Sequence, residues 1–169
     1  MRSLRSVNQR AANVGGMSAS EDFSTVLNGS LDGWNRTMKL RFVSATQDEV
    51  VAELDIGPEH RQPYGIVHGG VHAGIVETAA SVGAALHAMP HGRTVVGLEN
   101  HTSFIHAVRE GTLRVIAKPI TRGRRTQVWE GTVTDATGRV AATGRVRLLV
   151  LEPEASLAGE TARVKPSDE

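Results

Sequence analysis

The sequence contains no cysteine. That one absence excludes a disulfide scaffold, a cysteine nucleophile and a thiolate metal centre together. Aromatic residues make up only 4% of the chain, so its core has to be assembled mainly from Val, Leu, Ile and Ala. An excess of one charge is lacking too. The formal net charge is +1, too small for a nucleic-acid binder that relies on bulk charge. No apolar run approaches the roughly 20 residues that span a bilayer. Arg2, Arg5 and Arg10 stand near the start, but no apolar segment follows them. No secretory signal is therefore expected, and the cytoplasm is the expected compartment.

What is present is an ordinary globular composition, with 40% hydrophobic and 22% charged residues in 169. That length predicts one domain. Residues 1–20 are polar, contain glycine and lack periodicity, which predicts a disordered segment in which Met17 is an alternative start. The tail from Pro153 to residue 169 has the same character and the same expectation. The folded part is then 21–152.

Within it, EDFSTVLNG predicts a short helix ending at Gly29. Strands follow over 38–46 and 49–56, with Gln47-Asp48 as the turn. GPEHRQPYGIVH, with two prolines and two glycines, predicts a shaped loop. From Gly69 to about Met89, apolar residues recur every three or four positions, which is the helical period. Pro90 and Gly92 stop that helix. Four strands over 94–108, 112–121, 126–135 and 139–152 close the domain. Their short Gly-containing links predict a four-strand antiparallel meander. One long helix segregated from six strands predicts an α+β layer pair, with the sheet curled around the helix.

One face of the long helix is unusual. Val71, Ile75, Val82 and Leu86 form an apolar stripe for the sheet. Gly70, Ala73, Gly74, Glu77, Ser81 and Ala84 form a second face of small residues with one acid. A solvated face normally carries long charged side chains, yet no Lys or Arg occurs between Gly69 and Met89. The second face is therefore expected to be covered by a partner subunit or by substrate. The competing interpretation makes Glu77 an ordinary exposed glutamate. His68-Gly69-Gly70 opens the helix, where free N–H groups and the positive dipole end could hold a carbonyl oxygen or oxyanion. Alternatively, those glycines only permit a tight turn.

The stretch RQPYGIVHGGVHAGIVETAAS resembles the active-site segment of hotdog thioesterases of the phenylacetate-degradation and 4-hydroxybenzoyl-CoA thioesterase groups. NHTSFIHAVREG, RGRRTQVWEGTVTD and GRVAATGRVRLLVLE resemble that family's strands, so the similarity covers about 38–152. Glu77 resembles the branch with Glu on the central helix, where the phenylacetate enzymes carry Asp. The resemblance implies a hotdog fold and hydrolysis of an acyl-CoA, either aryl or medium-chain, to free acid and CoA, with no cofactor. It implies Glu77 as nucleophile or general base and the Gly69 N–H as the group polarising the thioester carbonyl. Gln62 and His68 would line the site, and Ser81 would orient the acid or its water. It also implies a homodimer or homotetramer with the site at a subunit interface.

Arg122, Arg124 and Arg125 cluster in one hairpin link. They form either a solvated turn or, as the resemblance favours, a clamp for the phosphates of CoA. Arg124 and Arg125 replace small hydroxyl residues of the aryl-CoA branch, and with Trp129 they look more like the naphthoyl-CoA branch. His68 and His72 are four apart but lack a third ligand, so no metal site is expected. His87 and His91 are expected at the helix C-terminus. His101 and His106 are expected on one strand, one of them as a core histidine. No serine elbow occurs. A hotdog hydratase or dehydratase would need an HFPG-like segment, which is absent, and a non-catalytic acyl-CoA binder would not need the whole Gln62–His68–Gly69–Glu77–Ser81 set.

Overall fold

The computed structural model describes residues 20–162. The expected disorder of residues 1–20, and Met17 with it, lies outside the described residues apart from Ser20. The chain runs through two short helices, α1 (Ser24–Asn28) and α2 (Gly33–Thr37), then strands β1 (Arg41–Ala45) and β2 (Val50–Asp55). A shaped loop leads to the long helix α3 (Gly69–Ala88). Strands β3 (Thr94–Phe104), β4 (Thr112–Arg122), β5 (Thr126–Thr134) and β6 (Val140–Leu151) follow. The described residues end in a small hairpin of β7 (Ser156–Leu157) and β8 (Glu160–Thr161).

Six strands form one antiparallel sheet in the order β1-β2-β4-β5-β6-β3, and it curves around α3. This is the anticipated α+β hotdog arrangement. The meander expectation is corrected. β3 pairs with β6, not with β4, and β4 pairs with β2 and β5. The link 105–111 crosses from one side of the sheet to its middle, because link length alone does not choose a strand's neighbour. The tail expectation for 153–169 is corrected over its described part, since β7 pairs with β8, while residues 163–169 lie outside the described residues. Ala158 and Gly159 both have positive φ, 50° and 87°, the backbone of a tight two-residue hairpin turn. Arms of two residues are too short to show periodicity in the sequence.

α3 begins at His68, whose Nδ1 accepts the Gly70 N–H at 2.8 Å. It stops where Met89–His91 tighten into a 3-10 turn and Gly92 adopts φ 67°. The sheet wraps more of α3 than an apolar stripe implies. Val71, His72, Ile75, Val76, Ala79, Ala80, Gly83, Ala84, Leu86 and Ala88 are all buried. Ala84 therefore belongs to the core, not to the small-residue face, while Val82 is only half-buried. Trp129 is fully buried against Gly83, where a Cβ would stand 2.4 Å from its ring. Its Nε1–H donates to Gln127 Oε1, and Gln127 donates to the Ala84 carbonyl, so this buried polar pair is satisfied.

Candidate active site

Glu77 lies halfway along α3 and points at β3. Asn100 donates to its Oε2 at 3.0 Å, and the same amide donates to the Ala73 carbonyl at 3.0 Å. The Ser81 hydroxyl, one turn further along α3, donates to Oε1 at 3.4 Å. Opposite the carboxylate stands Gly97, where a Cβ would come within 2.5 Å of Oε1. A helix and an exposed strand thus hold the acid between an amide and a hydroxyl, with glycine making the room.

Gly69 sits at the other end of the same surface. It lines a cavity of about 530 Å³ with Gln62, His68, His72, Phe104 and His106. Gln62 is fixed in its loop by two backbone bonds, its N–H to Ile66 and its carbonyl from Gly65. Its side-chain oxygen accepts the Tyr64 N–H. The Phe104 ring packs on Gly69, within 2.7 Å of where a Cβ would be. N–H groups in this first helical turn have no intrahelical acceptor. The Gly70 N–H is taken by His68, and the Gly69 N–H is aligned with the positive end of a 20-residue helix.

Within one chain, then, the expected residues fall into two groups: Glu77 with Ser81, and Gly69 with Gln62 and His68. Glu77 follows Gly69 by eight residues, about 12 Å along the helix axis. The arginines form a third group. Arg122 donates to the Gln47 carbonyl and to Asp48 at 2.7 Å. Arg124 and Arg125 are exposed in the β4–β5 turn. Arg122 and Arg124 line a small cleft with His87, His91 and Arg93 at the C-terminal end of α3.

Sequence reasoning missed Asn100, Gly97 and Phe104. An Asn three residues past a Gly on an edge strand is a weak local signal, and only tertiary register places it over Glu77. It also misplaced His101 and His106, whereas His87 and His91 stand at the end of the helix as expected. His101 is exposed, and His106 is 3.7 Å from Asp135. The buried ones are His60, which accepts the Gly57 N–H and meets the Met38 carbonyl, and His72. His72 packs against Phe104 with ring centroids 6.1 Å apart. Burial pushes its pKa below the ordinary 6.5, and its Nδ1 has no hydrogen-bond partner. Among the described residues no group of three His, Cys, Asp or Glu could hold a metal. None of the described helices is long and apolar enough to cross a membrane.

The sequence profile named Thioesterase superfamily matches residues 64–142, the stretch that holds His68, Gly69, Glu77 and Ser81, while Gln62 lies just before it. A 1,4-dihydroxy-2-naphthoyl-CoA hydrolase of Listeria monocytogenes is 33% identical over 118 residues, spanning 70% of this chain and 95% of its own. The chain belongs to the thioesterase superfamily. The proofreading thioesterase EntH of Cronobacter sakazakii is 30% identical over 135 residues, with 70% of this chain and 98% of that protein covered. A solved Mycobacterium tuberculosis structure is 39% identical and superposes with a TM-score of 0.69 over 70% of this chain and 96% of that one. Membership places this superfamily chain among enzymes that hydrolyse thioesters.

Proposed function

We propose that the enzyme hydrolyses an acyl-CoA at a site shared between two copies of the chain. Glu77 of one copy acts on a thioester whose carbonyl oxygen accepts the Gly69 N–H of the other. The observation that carries this reading is the 12 Å separation, roughly, of the two groups on one helix. A carbonyl cannot touch both within a single chain. β3 is exposed along most of its length and pairs only with β6 among the described residues. A two-fold pairing of β3 with its copy is antiparallel, so it sets the Phe104 end of one strand beside the Thr94 end of the other. Gly69, packed on Phe104, then approaches Glu77 of the neighbouring copy.

In that site the Gly69 N–H and the helix dipole stabilise charge developing on the carbonyl oxygen, an effect typically worth about 2.7–4 kcal/mol of barrier. Glu77 has two routes. As nucleophile it attacks the carbonyl carbon, the C–S bond breaks, CoA leaves as thiolate, and water opens the resulting anhydride. As general base it takes a proton from a water whose oxygen attacks the same carbon. Either way one water is consumed, the thiolate gains a proton, and the products are free acid and CoA. Ser81 and Asn100 orient the carboxylate, and Gln62 and His68 border the carbonyl's cavity. A single turnover in oxygen-18 water separates the routes, because only the anhydride can leave label in Glu77.

Glu77→Gln keeps the size of the side chain and can neither attack nor accept the proton. Its kcat on the best thioester should fall at least about 100-fold, with the oligomer unchanged by light scattering. Retention of more than about a tenth of wild-type kcat would refute the assignment. Arg124 and Arg125 are the free pair in the basic turn, so they, more than Arg122, are expected to meet the CoA phosphates. Arg124→Ala and Arg125→Ala should raise KM for CoA esters with little change in kcat, which is the mark of uniform binding. The effect should shrink on N-acetylcysteamine thioesters, and an equal loss on both substrates would remove the clamp.

A further inference from the structure

A second cavity, of about 520 Å³, lies between the C-terminal end of α3, the start of β3 and the β7–β8 hairpin. Its apolar wall is made by Ala85, Met89, Val95, Leu157 and Ala158. Resting on the reading above, we propose that this cavity is the acyl subsite of the enzyme and that the β7–β8 hairpin is its end wall. The tail of the chain would then set the longest acyl group the site accepts.

Position is the first argument. Ala73, Glu77, Ser81, Ala85 and Met89 follow one another at intervals of four residues, so they form a single slowly turning row on α3. β3 runs along this row. Asn100 meets Ala73 and Glu77, Gly97 faces Glu77, and Val95 and Thr94 line the cavity with Ala85 and Met89. The helix row and the strand therefore run side by side from the carboxylate to the cavity, about 12 Å further along the helix axis. In the proposed subsite, an acyl group whose carbonyl is held at Glu77 would follow this seam.

Chemistry is the second. Pantetheine carries amides and a hydroxyl, and the nucleotide carries phosphates. Both need polar or cationic partners. The cavity wall is mostly small apolar side chains, a methionine and a leucine, with Thr94, Thr161 and the anionic Glu160 as further lining, and a carboxylate repels phosphate. Its one cationic side chain, Arg93, is already engaged by Glu152 at 3.2 Å. A hydrocarbon chain or ring fits such a wall, whereas the polar arm of CoA does not.

The end wall is also built separately from the sheet. Among the described residues β7 and β8 pair only with each other, the turn at Ala158-Gly159 closes them, and the Ala162 N–H donates back to the Ala155 carbonyl. Leu157 and Ala158 are brought over the cavity by this local unit, which can be altered without touching a strand of the main sheet.

Two variants on different elements test the subsite. Removing residues 153–169 takes away the end wall, and Ala85→Leu fills the cavity from the helix. Each is compared with wild type on saturated thioesters from C4 to C16 and on aryl thioesters, as CoA and as N-acetylcysteamine esters. Removal of the tail should raise the ratio of long-acyl to short-acyl kcat/KM at least tenfold, and Ala85→Leu should lower it at least tenfold. Both shifts should appear on both thiol carriers. Kd values for unreactive S-alkyl-CoA thioethers should move in the same order, which reads the subsite without catalysis. Unchanged ratios in whichever variant folds would overturn the proposal, as would a shift confined to CoA esters, which would place the CoA arm in the cavity. A wild-type protein that hydrolyses none of the panel but shows the thioether trend would sink the functional reading and keep the subsite.

Discussion

At one edge of the sheet, β1 is five residues long and its outer backbone is capped by side chains and a turn. Asn28 donates to the Phe42 carbonyl and accepts the Phe42 N–H, both at 2.9 Å. Asp22 accepts the Ala45 N–H, and the Phe23 N–H donates to the Ala45 carbonyl. At the other edge, β3 runs for 11 residues, and among the described residues β6 is its only partner. Leu98, Phe104 and the following Ile105 are 50%, 60% and 59% exposed. Long apolar edges are normally blunted or covered, because they template pairing with another chain. The chain spends α1 on finishing one edge and leaves the other ready to pair. The carboxylate lies under the unfinished edge, so in the proposed pairing assembly and chemistry share one strand.

The largest effect should come from spoiling that edge. Leu98→Glu adds a like charge near the two-fold centre of the proposed pairing. It should convert the oligomer to monomer at micromolar concentration by light scattering. kcat/KM should fall about 100-fold or more, as expected when reacting groups lose their mutual placement. Val43→Glu, on β1, should change neither. If Leu98→Glu stays oligomeric and active, the two edges are equivalent and β3 is not the contact.

Breaking the finished edge should cost stability alone. Asn28→Ala removes both side-chain bonds to Phe42, and at about 1 kcal/mol for each bond lost it should lower the unfolding free energy by roughly 1–2 kcal/mol in denaturant melts. Oligomeric state and kcat should hold. A monomer, or a loss of activity larger than the loss of folded protein, would mean that the β1 edge also serves the site.

How much of this was legible in the sequence depended on whether the cause was local. α3, its start at His68 and its stop near Pro90 follow from period and capping, and the spacing of Glu77 and Ser81 puts them on one row. The order of the strands did not follow, because β3 is separated from β6 by two other strands in sequence and the 105–111 link resembles a hairpin loop. Asn100 over Glu77, the pairing of Arg122 with Asp48 and the burial of Ala84 depend on how far the sheet curls round the helix. No window of sequence encodes that. α2 was missed because Gly33–Thr37 opens on a glycine and carries a single apolar residue, Trp34, where the equally short α1 has Val26 and Leu27. The β7–β8 hairpin was hidden by its two-residue arms, with an Ala-Gly turn where an Asn-Gly pair would have signalled it.

The smallest effect should separate the edges by pH. His72 is buried beneath Phe104 at the end of β3, with its ring kept neutral by burial. The lowered pKa means that the folded chain binds fewer protons than the unfolded chain in the window just below 6.5. Stability linked to His72 is thus complete above pH 6.5 and is lost as pH falls through that window. The caps on Phe42 are neutral amide bonds and carry no such dependence. His72→Leu keeps an apolar fill and removes the titration, while every other histidine stays common to both proteins. Between pH 7.5 and 5.5 the melting temperature of wild type should therefore fall further than that of His72→Leu, by roughly 2–4 °C. Asn28→Ala should shift the melting temperature by the same amount at both pH values. Equal acid sensitivity of wild type and His72→Leu would show that the buried imidazole is protonated without cost, and the β3 end would then be no more pH-sensitive than the capped edge.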